Sequence, residues 1–214
     1  MKATEKEPLD TLLDGCPPPP PSEFLVATVA LRTGEQALLR PLQTDDAQRL
    51  WAYSASLSAE TRRRWGLHPV DEAAADALCA TLDPADILHL VATVAHAGEE
   101  RIIAYFLLKH GVLDRDRQRY ESLGIPLDRA TDSTLAPSVA DDFQNQGVGT
   151  LMLHHVLRAA TLLGRRRVLL WGGVQATNAR AIHFYKKSGF VKVGEFYTDK
   201  NNHDMILNLS PSSY

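Results

Sequence analysis

A short glycine-containing turn that leads directly into a long amphipathic helix is the feature that most restricts the fold of this chain. The turn has the sequence Gln144-Asn145-Gln146-Gly147-Val148-Gly149-Thr150. Apolar residues then recur at helical spacing as far as Leu163, and Gly164 is typical of the residue that follows a helix. The first N–H groups of a helix have no partner inside it, and together with the helix dipole they attract anions. The turn therefore predicts a phosphate- or pyrophosphate-binding site in front of a helix over residues 147–163.

Three kinds of phosphate-binding loop compete for this turn, and two of them lack a required residue here. A Walker loop needs a lysine between its last glycine and the Ser or Thr, whereas Gly149 is followed directly by Thr150. A dinucleotide fingerprint needs a third glycine, where this chain has Met152. The third kind grips the pyrophosphate of coenzyme A with the pattern Gln/Arg-x-x-Gly-x-Gly/Ala, which Gln144, Gly147 and Gly149 meet.

The rest of the chain predicts an alternation of strands and helices of the α/β class. Apolar and β-branched runs between turn residues predict strands over residues 24–31, 36–39, 87–95, 102–110, 135–140, 168–171, 190–196 and 205–209. Helices are predicted after the N-cap residue Thr44, over residues 71–82 and over residues 179–187. Residues 111–133 are charged and broken by glycine and proline, and a connection of this length is usually functional or mobile.

The N-terminal residues differ in composition from the rest. Five consecutive prolines, at positions 17–21, lack backbone donors and favour polyproline II, so residues 1–22 are predicted to be a disordered arm. A ligand for a proline-recognition module is the alternative interpretation. The folded domain is expected over residues 23–210.

With its glycine turn the chain resembles the GNAT acetyltransferase superfamily, and a second segment supports the resemblance. Residues 178–190 are similar to the family's Asn-x-x-Ala-x-x-Phe-Tyr-x-x-x-Gly-Phe stretch, with the spacing intact. Residues 39–41 are similar to the family's opening and residues 205–209 to its closing strand, so the resemblance spans about residues 24–209. It implies an α/β (α+β) fold of GNAT type, with a central mixed, largely antiparallel twisted sheet, a splayed pair of parallel strands and flanking helices.

The resemblance also implies acetyl-CoA as acyl donor, held where residues 135–140 and 168–174 splay apart. The backbone at Val139, Ala140 and Asp141 would pair with the pantetheine arm, and one N–H there could polarise the thioester carbonyl. The pyrophosphate would lie on the loop, and Asn178 would help to fix the pantetheine end. The cofactor-binding residues expected from the loop are Gln144, Asn145, Gln146, Gly147, Val148, Gly149 and Thr150.

Tyr185, which also borders the cofactor site, is the candidate general acid, because a phenol near the sulfur can protonate the thiolate that an attacking amine expels. The alternative is that Tyr185 is a core residue on an amphipathic helix. The attacking amine must be neutral, and the residue that accepts its proton stays open among Asp132, Glu121, His110 and His203.

Two departures from the family pattern bear on the substrates. Gln146 stands where family members often carry Arg or Lys, so the loop would depend on backbone donors. Gly172 and Gly173 replace larger side chains near the end of a central strand, either to make room for the acceptor or acyl group or as a packing bulge. Residues 57–65 and 111–133 are candidate acceptor-side elements. The arginines of residues 57–65 could attract an acidic substrate or simply form a solvated helix start, and residues 111–133 could be a lid or a homodimer contact.

Composition excludes several function classes. A net charge of −3 gives no basic field, so neither nucleic acid nor a membrane is expected as a partner. No apolar run approaches the roughly 18 residues of a membrane span, and residues 1–10 lead into no secretory signal. Two cysteines form no framework or zinc site on their own, and without an HExxH pattern no metal is assigned. The expected compartment is the cytoplasm.

The combined prediction is an enzyme that transfers acetyl from acetyl-CoA to a primary amine by direct attack in a ternary complex. The alternative is a non-catalytic module that binds acyl-CoA as a sensor. A third interpretation, another nucleotide-binding α/β protein, is disfavoured by the missing Walker lysine and third glycine.

Overall fold

The computed structural model describes residues 22–209 except residues 66, 68, 70 and 97, so the predicted arm over residues 1–22 lies outside the described residues apart from Ser22. Nine strands in this range form one sheet. The strands are β1 (Ala27–Ala30), β2 (Gln36–Pro41), β3 (Ile87–His96), β4 (Glu99–His110), β5 (Asp132–Val139), β6 (Arg167–Leu170), β7 (Val174–Gln175), β8 (Val191–Tyr197) and β9 (Asn201–Asn208).

Helices cover the two faces of the sheet. They are α1 (Ala47–Ser56), α2 (Ala59–Trp65), α3 (Glu72–Ala80), α4 (Asp114–Ser122), α5 (Val148–Leu162) and α6 (Ala179–Lys187). Short 3₁₀ turns lie at Ser22–Leu25 and Asp141–Phe143. No helix in the described part of the chain is long and apolar enough to cross a membrane.

The one parallel pairing among the described strands creates an opening in the sheet. The strand order is β1-β2-β3-β4-β5-β6-β9-β7, with β8 on β9, and every described pair except β5–β6 is antiparallel. The parallel register runs only from Asp132↔Arg167 to Leu135↔Leu170, and the Trp171 N–H then donates to the Leu135 carbonyl at 2.9 Å. Strand β6 ends there while β5 continues to Val139, so the two strands diverge. This confirms the predicted GNAT-type fold.

Two apolar layers sandwich the sheet. Helix α5 buries Met152, Leu153 and Val156 on one face. On the other face α1 buries Leu50 and Tyr53 in a second cluster. Strands whose side chains alternate between two covered faces must be apolar on both, which is why β4 is buried along most of its length.

Some element boundaries differ from the prediction for identifiable reasons. Helix α1 begins after Asp46 rather than after Thr44, because the Asp46 carboxylate is fully buried and accepts hydrogen bonds from Arg40 at 2.6 and 2.8 Å. The predicted connection over residues 111–133 contains α4. That helix has a single large apolar side chain, Tyr120, and hence no apolar periodicity; ion pairs such as Arg117–Glu121, 2.9 Å apart, stabilise it instead.

Candidate active site

A cleft of about 600 Å³ opens where β5 and β6 diverge. The end of β5, residues 144–150 and the first turns of α6 wall one part of it. Helices α2 and α4 and the β8–β9 hairpin wall the other part. The elements that were predicted to hold the cofactor and the acceptor therefore border one continuous space.

The turn before α5 presents backbone donors to this cleft. Asn145 and Gly147 have φ angles of +62° and +91°, which reverse the chain just before α5 begins. The Thr150 N–H donates to the Gly147 carbonyl at 3.0 Å as the helix starts, while the N–H groups ahead of it have no partner within the helix. Gln144, Asn145, Gly147, Gly149 and Thr150 line the cleft. This geometry is compatible with the phosphate-binding turn that the sequence predicts, which stays a prediction.

Side-chain hydrogen bonds fix the conformation of this turn. Gln144 Nε2 donates to the Val139 carbonyl at 3.0 Å, and Gln146 Nε2 donates to the Asp142 carbonyl at 2.6 Å. Gly147 is in the left-handed region that favours glycine. The turn is thus held by amide side chains, through hydrogen bonds that do not use its backbone N–H groups.

The edge of β5 beyond the parallel pairing offers one backbone donor close to the centre of the cleft. The Ala140 N–H donates to the Ile103 carbonyl at 2.8 Å, so by the alternation of an antiparallel ladder Val139 and Pro137 turn their backbone groups away from β4. Pro137 has no N–H, and the Val139 carbonyl accepts the bond from Gln144. The Val139 N–H therefore faces the space between the diverging strands.

Tyr185 lies in the wall of the cleft and is 8% exposed. Its ring packs against Phe184 and Phe190, with centroid separations of 5.3 and 5.4 Å. Burial raises the pKa of the phenol well above its ordinary value, so the hydroxyl is protonated at neutral pH. The two interpretations of the sequence are compatible, because the ring is part of the core and also borders the cleft.

Asn178 begins α6 and links it to α2. Its Oδ1 accepts hydrogen bonds from the Ala181 N–H at 3.2 Å and from Arg64 Nη1 at 2.9 Å. Asn178 also lines the cleft. It therefore has a structural role as the helix cap beside the predicted cofactor contact.

The other predicted cofactor residues are engaged within the protein. The Ala140 N–H is bonded to Ile103, and the Val148 side chain is buried in the core under α5. Asp141 accepts hydrogen bonds from the Ser58 N–H at 2.8 Å and from Thr61 Oγ1 at 2.7 Å. Although burial opposes ionisation, these bonds hold the pKa of Asp141 below its usual value. Asp141 thereby ties the loop to α2.

None of the four candidate bases lines the cleft. Asp132 is completely buried and pairs with Arg167 at 2.6 Å, and Glu121 pairs with Arg117 at 2.9 Å. His110 Nε2 lies 3.1 Å from the Pro84 carbonyl oxygen, and His203 Nε2 lies 3.6 Å from Glu195. Asp199 is the single acidic residue among the described residues that line the cleft. Within the residues that the structure describes, no group of three or more His, Cys, Asp or Glu side chains is placed to hold a metal ion.

Five cationic side chains that the sequence did not single out as cofactor residues also line the cleft. They are Arg64, Arg115, Arg119, Arg180 and Lys200. They come from α2, α4, α6 and the β8–β9 hairpin, so no local pattern in the sequence marks their convergence. Residues 57–65 and 111–133, predicted to border the acceptor, contribute the first three of them.

The two glycines after β6 have different surroundings. A Cβ on Gly173 would lie 2.7 Å from the His203 carbonyl oxygen and 2.8 Å from the Phe196 ring, which favours the close-packing interpretation of this position. A Cβ on Gly172 would meet only Arg115 Nη2, at 3.8 Å. Room for a substrate is therefore available beside Gly172, whereas Gly173 permits a tight approach of β9.

Among the described strands, the sheet opens at its one parallel pair, beside the turn that begins α5, which is the arrangement of the GNAT-type fold. Comparison with known sequences agrees with this fold. The model of the Acetyltransferase (GNAT) family matches residues 135–190, which include β5, the loop, α5 and α6. The predicted resemblance to the GNAT acetyltransferase family is thereby confirmed over these residues.

Two curated relatives align with parts of this chain. An uncharacterized N-acetyltransferase of Methanocaldococcus jannaschii is 44% identical over 52 residues, which are 24% of this chain and 22% of that protein. The ribosomal protein bS18-alanine N-acetyltransferase of Salmonella typhimurium is 34% identical over 93 residues, which are 42% of this chain and 60% of that protein. The matched parts thus span less than two thirds of these relatives.

Among solved structures, the GNAT domain of PAT from S. lividans superposes over most of the chain. The TM-score is 0.68 at 23% identity, and the match covers 88% of this chain and 99% of that domain. At this identity the likeness shows a common fold.

Proposed function

We propose that this protein is an N-acyltransferase that transfers acetyl from acetyl-CoA to a primary amine by direct attack in a ternary complex. The observation that carries the proposal is the continuity of one cleft, which joins the anion-binding turn, the Val139 N–H and the Tyr185 phenol. GNAT homologues use acetyl-CoA as a substrate, which agrees with this arrangement.

Acetyl-CoA would lie along the cleft with its pyrophosphate on the N–H groups of residues 144–150. Its pantetheine arm would follow the edge of β5 near Val139 and pass Asn178. The Val139 N–H would then face the thioester carbonyl, where it can stabilise the negative charge that develops on the oxygen. Because this donor is fixed by the ladder between β4 and β5, it needs no reorganisation during the reaction.

Arg32 would supply the positive charge that Gln146 does not. The guanidinium of Arg32, in the turn between β1 and β2, reaches across to the loop, where its Nε lies 3.3 Å from the position of a Cβ on Gly147. The Gln146 amide is occupied by Asp142, so it contributes to the shape of the turn instead of binding the ligand. An arginine beside the loop is well suited to a pyrophosphate.

In the chemical step the neutral amine would form a bond to the carbonyl carbon and the carbon–sulfur bond would break. The leaving thiolate would take the phenolic proton of Tyr185, which burial keeps in place at neutral pH. The proton lost by the amine would leave through the open, acceptor side of the cleft to solvent, and a proton from solvent would then restore the Tyr185 phenol. Tyr185 is thus the catalytic residue of the proposal.

A second candidate function, an acyl-CoA sensor without turnover, is favoured by one observation. Among the described residues that line the cleft, the exposed Asp199 is the single carboxylate and there is no histidine, so few groups in its walls can accept the proton of the amine. Such a module would need the loop and the β5 edge and would have no use for the Tyr185 phenol.

Calorimetry with acetyl-CoA, followed by release of free thiol in the presence of a panel of amines, distinguishes the two functions. Saturable binding with amine-dependent thiol release is expected for the transferase. Saturable binding with no thiol release above hydrolysis would support the sensor. Absence of binding would contradict both.

A further inference from the structure

The acceptor side of the cleft carries an excess of positive charge. We define it as the part walled by α2, α4 and the β8–β9 hairpin. Arginine and lysine side chains enter it from all three elements, whereas one carboxylate, Asp199, lines it among the described residues. Its cations are Arg64, Arg115, Arg119 and Lys200.

Two of these cations are neutralised by neighbouring groups. Arg119 lies 2.8 Å from both Asp116 and Asp204, and its guanidinium stacks 3.8 Å from the Phe196 ring centroid. Arg64 pairs with Glu60 and donates to Asn178. Both side chains are therefore held in place as parts of the wall.

Arg115 is much less neutralised. Its only ion-pair contact among the described residues is Nε to Asp116 Oδ1 at 4.0 Å, and Asp116 is already paired with Arg119. The side chain is 66% exposed and reaches over Gly172, where its Nη2 lies 3.8 Å from the position of a Cβ. Lys200, on the facing hairpin, has only an exposed contact of 3.6 Å to Asp199. Arg115 and Lys200 thus leave positive charge directed at the acceptor side.

We propose that the acceptor is an amine that carries an acidic side chain close to its amino group. This inference rests on the proposed function and names the substrate class of the same cleft. A guanidinium binds a carboxylate through two parallel hydrogen bonds, and Lys200 would add attraction. The same charges repel polyamines and other polycations, so they select among amines as well as bind one. Gly172 contributes by leaving the space below the Arg115 guanidinium open.

Matched acceptors test the proposal. Glutamate and glutamine differ only in the side-chain carboxylate, and so do peptides that begin Ala-Glu and Ala-Gln, whose amino groups have nearly the same basicity. Comparing the free amino acids with the peptides shows whether the acceptor that carries the carboxylate is a small molecule or a polypeptide. Spermidine is the polycationic comparison. For each acceptor, kcat/KM is measured from thiol release at saturating acetyl-CoA.

The wild-type enzyme is expected to prefer the carboxylate member of at least one pair about tenfold and to use spermidine poorly. Arg115→Gln is expected to reduce that preference to about twofold through KM, and Arg115→Glu to reverse it, with the acetyl-CoA Kd unchanged in both. Arg129→Gln is the matched control. Arg129 lies in the same connection and is 63% exposed, but it does not line the cleft, so its removal should leave the preference intact.

Several results would overturn the inference. Equal use of both members of each pair by the wild type, preference for spermidine, or a preference that survives Arg115→Glu would each do so. Saturable acetyl-CoA binding with turnover of neither carboxylate acceptor would reject the inference while leaving the cofactor site standing. Absence of acetyl-CoA binding would reject the proposed function itself.

Discussion

Substitution of Tyr185 tests the proposed catalytic step most directly among single residues. Tyr185→Phe removes the proton donor but keeps the ring packing, so kcat should fall on the order of tenfold to a thousandfold with little change in the acetyl-CoA Kd. Because burial raises the pKa of the phenol, loss of kcat through its ionisation should begin only above its ordinary value of about 10. Stopped-flow or steady-state rates across pH measure both effects.

Tyr120→Phe is the matched control for this substitution. Tyr120 is also buried, and its hydroxyl, which lies outside the cleft, donates to the Met205 carbonyl at 3.1 Å. Its replacement should lower the free energy of unfolding by about 1 kcal/mol and leave kcat unchanged. An unchanged kcat in Tyr185→Phe would remove Tyr185 from the mechanism.

Arg32 is the residue expected to add charge to the pyrophosphate site. Arg32→Gln should raise the acetyl-CoA Kd about two- to fivefold at low salt, and the difference from wild type should shrink as salt is added, since the contact is exposed. Calorimetric titration at two ionic strengths measures this. Arg166 is an exposed arginine beyond the opposite end of α5, and Arg166→Gln should leave the acetyl-CoA Kd unchanged. An equal rise of the Kd in both variants would mean that Arg32 acts only through net charge.

At the scale of elements, the start of α5 is set by a glycine with a left-handed backbone. Gly147→Ala should lower the free energy of unfolding by about 1 kcal/mol, because φ is +91°, and should weaken acetyl-CoA binding about fivefold or more by shifting the turn. Gly164→Ala places the same strain, at φ +68°, beyond the other end of the helix, where a Cβ meets nothing within 4 Å. Denaturant unfolding and calorimetry on both variants separate strain from binding. Equal acetyl-CoA affinity in the two would contradict the role of the turn.

Elements with a strong local signal are the ones that the sequence predicts well. Helix α6 has the predicted bounds, and α5 begins and ends within a residue of them, because both have apolar periodicity bounded by a cap or glycine. Helix α4 lacks that periodicity and was not predicted. Strand β6 stops at Leu170, where two glycines with positive φ turn the chain toward β7.

The residues of the candidate site likewise fall into those that the sequence predicts and those that only the structure reveals. The loop residues are contiguous, so their spacing and the family resemblance identify them together. Arg115 lines the cleft and Arg32 reaches the loop at Gly147, and both come from elements distant in sequence, so only the tertiary fold brings them to the site. The candidate bases illustrate the converse. Asp132 and Glu121 were expected on loops, but they lie in β5 and α4, where ion pairs with arginines hold them outside the cleft.

At the scale of the whole molecule, a buried ion pair joins the entry of α1 to the sheet. Asp46 is fully buried against Arg40, whose other nitrogen lies 2.7 Å from Glu100 of β4. Burial opposes ionisation of Asp46, but hydrogen bonds from Arg40 and the Gln43 N–H hold its pKa below the ordinary value. The pair therefore contributes stability above about pH 4 that is lost as the pH falls through the folded-state pKa.

Asp46→Asn should cost about 3 kcal/mol at pH 7, because it leaves the buried Arg40 charge without its main partner. The difference from wild type should narrow below pH 4, where Asp46 itself becomes protonated. Urea unfolding at pH 7 and in the acid range measures this. Asp45 is an exposed neighbour, and Asp45→Asn should change the free energy of unfolding by less than about 0.5 kcal/mol at either pH. If the stability difference between Asp46→Asn and wild type did not depend on pH, the proposed role of the Asp46–Arg40 ion pair would be contradicted.

The crystal structure of this protein with acetyl-CoA tests the central claim most directly. We expect the acetyl-CoA diphosphate within about 3.2 Å of backbone nitrogens of residues 145–150, with the thioester carbonyl oxygen facing the Val139 N–H. Acetyl-CoA bound elsewhere on the molecule, with these amides still free of it, would contradict the claim.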